Sequence, residues 1–280
     1  MGDAPEADAP AEGREKLQLR YGEEGGEGPL LVFHPLIACL LAGAAAGLAA
    51  FALGESTYGA FEAAGVSRRF QGIISDLPTP AARDAAMARG AATAYAGLGG
   101  LLGLFQGLAA GLIRGDARRG ARGGAAGLVL GTIAGGLLSL GVLPGALKFR
   151  DRSSIDPILI GTATQALIWG PIAAAAGAAF GFALGGIKLA PRFAAFALGG
   201  ALVATLVYGA AGAALFPLAE TDRPLAAQRG ARLLAHMLVA LGAGAAVGLA
   251  LTGRDRRPGR WPWEERKAPD DAGPATPAAS

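Results

Sequence analysis

Polar and apolar positions in this chain fall in blocks, not in alternation. Six stretches, 30–54, 90–113, 123–147, 157–187, 193–219 and 233–253, contain no Asp, Glu, Lys or Arg. A membrane-spanning helix needs about 20 mostly apolar residues, and each stretch meets that length. The pattern predicts an all-α integral membrane protein with six transmembrane helices, at about 35–53, 90–113, 123–143, 158–187, 193–216 and 233–251. These lie in a transmembrane domain spanning 30–253. The stretch 1–29 is acidic and rich in Gly, Ala and Pro, and 254–280 is basic and then Pro/Ala-rich. Neither can bury enough apolar surface to offset its ordering entropy, so both are expected to be disordered tails.

Within the apolar blocks a second pattern appears. Glycines recur every fourth residue at Gly99, Gly103, Gly107, Gly111 and Gly115, and again at Gly123, Gly127, Gly131 and Gly135, with Ser139 continuing the second row. A glycine inside a water-exposed helix costs about 1 kcal/mol relative to alanine. In a bilayer the solvent enforces helix, because backbone polar groups find no water there. The rows then cut a groove along one helix face, where a second backbone can approach closely. Two consecutive helices packed as a hairpin are expected, with Gly99, Gly103, Gly107, Gly111, Gly127, Gly131 and Gly135 at the contact. Cys39, Gly43 and Gly47 form a similar small-residue row in the first helix.

Start and stop signals repeat along the chain. Thr79-Pro80 reads as an N-cap followed by proline at the first helical position, and Asp156-Pro157 repeats the device before the fourth helix. Asp222-Arg223-Pro224 reads the same way before the sixth helix. Leu143-Pro144 and Phe216-Pro217 read as the ends of the third and fifth. These signals predict three helical hairpins: one-two, three-four and five-six. A shift of 71 places Gly90 on Gly161 and Thr93 on Thr164, and a shift of 73 places Pro144 on Pro217. Internal repetition explains these matches; so does shared Ala/Gly composition. The long connection 54–89 carries Ser67-Arg68-Arg69-Phe70 and Ile73-Ile74, which suit either a segment lying on the membrane surface or a solvated loop.

Composition agrees with the blocks: 52% of residues are hydrophobic and 17% charged, with a mean hydropathy of +0.40. The net charge of +3 is too small and too scattered to argue for nucleic acid. Basic residues nearest the helix ends set orientation. Arg114, Arg118, Arg119 and Arg122, then Lys188 and Arg192, then Arg254 to Arg260, all fall on one side. That side is expected to be cytoplasmic and to hold both termini, in a bacterial plasma (inner) membrane.

Ionisable residues inside spans usually mark ion paths or proton relays. The spans here carry none away from their ends, which disfavours an ion-coupled transporter or an intramembrane protease. No catalytic residue, metal set or cofactor site is expected. Three residues stand out in the spans: Gln165, His236 and Pro171. Gln165 and His236 read either as a polar site lining a cavity between the fourth and sixth helices or as interhelical hydrogen bonds. Pro171 removes one N–H, so a kink is expected in the fourth helix.

Residues 95–143 resemble the glycine-zipper hairpins found in bacterial membrane proteins, a resemblance that implies close helix packing and names no activity. The three-hairpin scheme is also similar to that of mitochondrial carriers. Their Pro-x-acid-x-x-base signature is absent after Pro144 and distorted at Pro217-Leu218-Ala219-Glu220-Thr221-Asp222-Arg223. The expected function is a non-enzymatic structural, assembly or partner-binding membrane protein. Its partners would be membrane lipid and other membrane proteins or itself. The alternative is a transporter or channel for a small neutral or amphipathic solute. A polar cavity reaching both Gln165 and His236 would favour the alternative.

Overall fold

The computed structural model describes residues 34–70, 73–216 and 220–255. The expected tails, 1–29 and all but the first two residues of 254–280, lie outside the described residues. Among the described residues there are six helices: α1 (Pro35–Thr57), α2 (Pro80–Arg114), α3 (Ala117–Arg152), α4 (Pro157–Gly185), α5 (Ala190–Leu215) and α6 (Arg229–Asp255). All six are long and apolar enough to cross a membrane, and the chain is a multi-pass membrane protein. A strand pair lies between α1 and α2. In the stretch read as a surface segment or loop, β1 (Gly65–Phe70) pairs antiparallel with β2 (Ile73–Pro78), in register Gly65↔Pro78 and Phe70↔Ile73.

Helix starts follow the capping residues. Thr79 Oγ1 accepts from the Ala82 N–H at 3.1 Å, with Pro80 behind it, so α2 begins ten residues before its apolar stretch. Its 35 residues extend roughly 52 Å at 1.5 Å per residue, well past a hydrocarbon core of about 30 Å. Asp156 caps α4 by accepting from the Ile158 N–H at 2.8 Å. Between α2 and α3, Gly115 takes the left-handed backbone (φ 73°) and Asp116 caps the next helix, accepting from the Arg119 N–H at 3.0 Å.

Two sequence signals read differently in the structure. The expected stop at Leu143-Pro144 is not one, since α3 continues through Pro144 to Arg152. Proline removes a single backbone donor, while Leu143 and Leu147, one turn apart and both buried, hold the last turns against the bundle. Likewise Asp222-Arg223-Pro224 does not open α6, which begins at Arg229. The intervening residues are held in a non-helical segment by Tyr95 and Gln165. α4 is continuous through Pro171.

The expected hairpin pairs α1/α2, α3/α4 and α5/α6 all pack, but α2/α3 and α4/α5 meet more extensively, and α1 lies against α6. Glycine marks each of these closest pairings. A Cβ built on Gly99 or Gly103 would collide with the backbone of Gly131 or Gly127, and the reverse holds too. Gly107 faces the Gly123-Gly124 backbone, Gly111 faces Gly120, and Gly135 faces the Tyr95 carbonyl. Gly177 and Gly181 abut Phe193 and Leu189 of the α4/α5 pair; Gly43 and Gly244 abut Ala240 and Cys39 of α1/α6. Lipid tails supply no hydrophobic drive between helices, so such contacts rest on van der Waals packing. Glycine maximises that by removing the spacer. The interior is filled by Leu98, Leu102, Ile168, Trp169, Phe180, Phe193 and Val239, all nearly inaccessible.

Candidate functional site

Buried polarity gathers at the end of the bundle where α1 ends and α2, α4 and α6 begin. α6 enters with Arg229-Gly230-Ala231-Arg232, and α1 leaves with Gly54-Glu55. Arg232 is 7% exposed. Its Nε donates to Glu55 Oε1 at 2.6 Å and its Nη2 to Oε2 at 3.0 Å, a bidentate pair across the helices. Nη1 donates to the Ala226 and Ala227 carbonyls at 2.9 and 2.8 Å. The guanidinium also lies 3.7 Å from the centre of the Tyr58 ring. A buried charge is tolerable only when paired and hydrogen-bonded, and Arg232 has both. Arg229 reaches the same carboxylate at 3.5 Å, but its side chain is mostly exposed.

The segment 220–228 is drawn across this end. Its carbonyls are taken by side chains from three helices. Tyr95 Oη donates to the Pro224 carbonyl, Gln165 Nε2 to Thr221 at 3.0 Å, and Arg232 to Ala226 and Ala227. Arg150 of α3 pairs with Asp222 at 3.4 Å, and Gly161 leaves room for the Asp222 backbone. Backbone polar groups buried away from water need such partners. Pro224 and Ala226 are buried accordingly.

The structure does not bring Gln165 and His236 to one cavity. Gln165, 4% exposed, bonds the strap rather than α6, and α4 and α6 barely touch. It lines a cavity of about 20 Å³ with Tyr95, Arg150, Thr164, Asp222 and Pro224, room for about one water. His236 is not on it. Its Nδ1 pairs with the Arg232 carbonyl at 2.8 Å, one turn back on its own helix, and its ring meets Phe51 edge-on at 6.2 Å. Nε2 points at Gly54 and has no hydrogen-bond partner among the described residues. Pro171 is half-buried within α4 and lines neither cavity described here. A second cavity, about 180 Å³, lies on the other flank of the strap, between Gly54, Tyr58, Met87, Arg223, Leu225 and Ala227. Both fall below the roughly 300–1,000 Å³ of ordinary small-molecule sites.

Glu55, Tyr58 and Arg232 were not singled out by the sequence. Glu55 and Arg232 each sit one residue outside an uncharged stretch, where flanking charges are routine. The one available signal was their placement at adjacent helix ends on one predicted side. Among the described residues, no three His, Cys, Asp or Glu side chains gather as a metal-binding set.

Fold and site together define a class: a six-helix multi-pass membrane protein, packed through glycine and closed at one end by a strap tied to buried polar side chains. Comparison with protein-family models, curated proteins and solved structures finds no match to the chain.

Proposed function

We propose that this chain is a non-enzymatic scaffold of a bacterial plasma membrane, serving a structural, assembly or partner-binding role, with both termini cytoplasmic. The observation that carries the reading is the packing of the bundle: backbone-to-backbone contact of α2 on α3, and a strap that takes up Gln165, one of the two polar residues a solute path would use. Its lipid-side faces are then the surfaces available to membrane lipid, to other membrane proteins or to a second copy. Leu137 of α3 and Leu206 of α5 are 65% and 66% exposed on such faces. The basic turns support the orientation.

Flux and cross-linking test this. Liposomes containing the full chain should pass small neutral solutes such as glycerol no faster than empty liposomes, as read by osmotic light scattering. A photo-reactive residue at Leu137 or Leu206 should yield discrete protein adducts in native membranes. Faster flux that disappears in Gln165→Leu would replace this reading with transport. Lipid adducts alone at both positions would remove the partner-binding role.

A further inference from the structure

The opposite end of the bundle is built from two turns, 115–116 and 186–189, set side by side around the end of α4. Gly123 at the start of α3 abuts Ala179 and Ala183, and Gly181 abuts Ala190 at the start of α5. Arg114 donates to the Leu184 carbonyl, tying the first turn to the last turn of α4. The two turns and the helix ends beside them carry six cations among the described residues: Arg114, Arg118, Arg119, Arg122, Lys188 and Arg192. Asp116 lies in the first of these turns, and Arg119 pairs with it at 3.2 Å. The N–H donated by the Arg119 backbone holds the Asp116 carboxyl below the usual carboxylate range, so it is charged at neutral pH. Arg192 lies over Phe196. The side chains of Arg118, Arg122 and Lys188 are exposed and make no hydrogen bond or ion pair among the described residues. At the same end, Leu112 and Ile187 are 77% and 79% exposed.

We propose that this end binds the headgroup of an anionic phospholipid, with Arg118, Arg122 and Lys188 on the phosphate and Leu112 and Ile187 against the acyl chains. Cations alone would suit any polyanion. Large apolar side chains exposed beside them suit an amphiphile, and the bundle places both at a membrane interface. This goes beyond the scaffold reading and does not depend on it, because a transporter of the same fold would carry the same surface. A basic residue near an anionic leaflet contributes about 1 kcal/mol, or about fivefold in partition.

The test uses the full chain in detergent, offered equal phosphatidylglycerol and phosphatidylcholine of one acyl composition, with retained lipid counted by native mass spectrometry. Phosphatidylglycerol should be retained at least about tenfold over phosphatidylcholine, and salt near 1 M, where the Debye length is about 3 Å, should erase the preference. Arg118→Gln/Arg122→Gln/Lys188→Gln should lose the preference while keeping its circular dichroism. Lys148→Gln/Arg152→Gln, exposed at the other end, should keep it. Asp116→Asn, which still caps α3 but frees Arg119, should raise it. Equal retention of the two lipids by the wild type would overturn the proposal. So would an undiminished preference in the triple variant, an equal loss in the Lys148/Arg152 control, or full competition by inorganic phosphate, which would mark a free-anion site.

Discussion

Arg232 joins distant parts of the molecule: α1 through Glu55, the strap through two carbonyls, and Tyr58 through its ring. Removing one partner of a buried pair strands the other charge, typically at about 3–5 kcal/mol. Glu55→Ala should fall at the low end, about 3 kcal/mol, because the stranded Arg232 keeps its bonds to the Ala226 and Ala227 carbonyls. Arg229→Gln should cost under about 1 kcal/mol, as a mostly exposed partner of the same carboxylate. The double variant Glu55→Ala/Arg232→Met should be less destabilised than the two singles summed, as judged by unfolding midpoints in detergent. Strict additivity would mean that the pair does not couple. None of this was legible along the chain, because the two residues are 177 positions apart and each looks like an ordinary flanking charge. Gln165 and His236 were legible as unusual polar residues in apolar stretches. Their partners were not: one bonds a strap read as a helix start, the other its own preceding turn.

Among the elements, the α2/α3 pair shows how context divides residues of one type. Gly107 and Gly131 face backbone across the contact, whereas Gly141 and Gly145, further along α3, have nothing within 4 Å of an added Cβ. Gly107→Leu and Gly131→Leu should each cost about 3 kcal/mol, the upper part of the overpacking range, since facing backbone cannot rotate away. Gly141→Ala should be neutral within about 0.5 kcal/mol. Melting temperatures of purified variants, with helix content checked by circular dichroism, decide the matter; equal melting for all three would mean that the rows do not pack. The periodic rows were readable because four-residue spacing and helix geometry are local. Where α3 stops was not. A proline at Pro144 argues for an end locally, yet the burial of Leu143 and Leu147 carries the helix onward.

For the whole molecule, the basic turns predict which side faces the cytoplasm. Single cysteines at Ala117 and Lys188 should be protected from a membrane-impermeant maleimide in intact cells, and cysteines at Glu62 and Ser154 should react. The reverse pattern would invert the molecule and move the proposed lipid contact to the other leaflet. The sequence by itself determined the number of spans, the class, the capped starts of α2 and α4 and the glycine-lined faces. Each of these follows from hydropathy, capping chemistry or periodicity within a few turns of chain. Tertiary structure decided which faces meet, the pairing of α1 with α6, the closing strap and the Glu55–Arg232 bond. Those depend on contacts between segments far apart in sequence, where many Ala/Gly-rich faces look alike and shape in three dimensions selects among them.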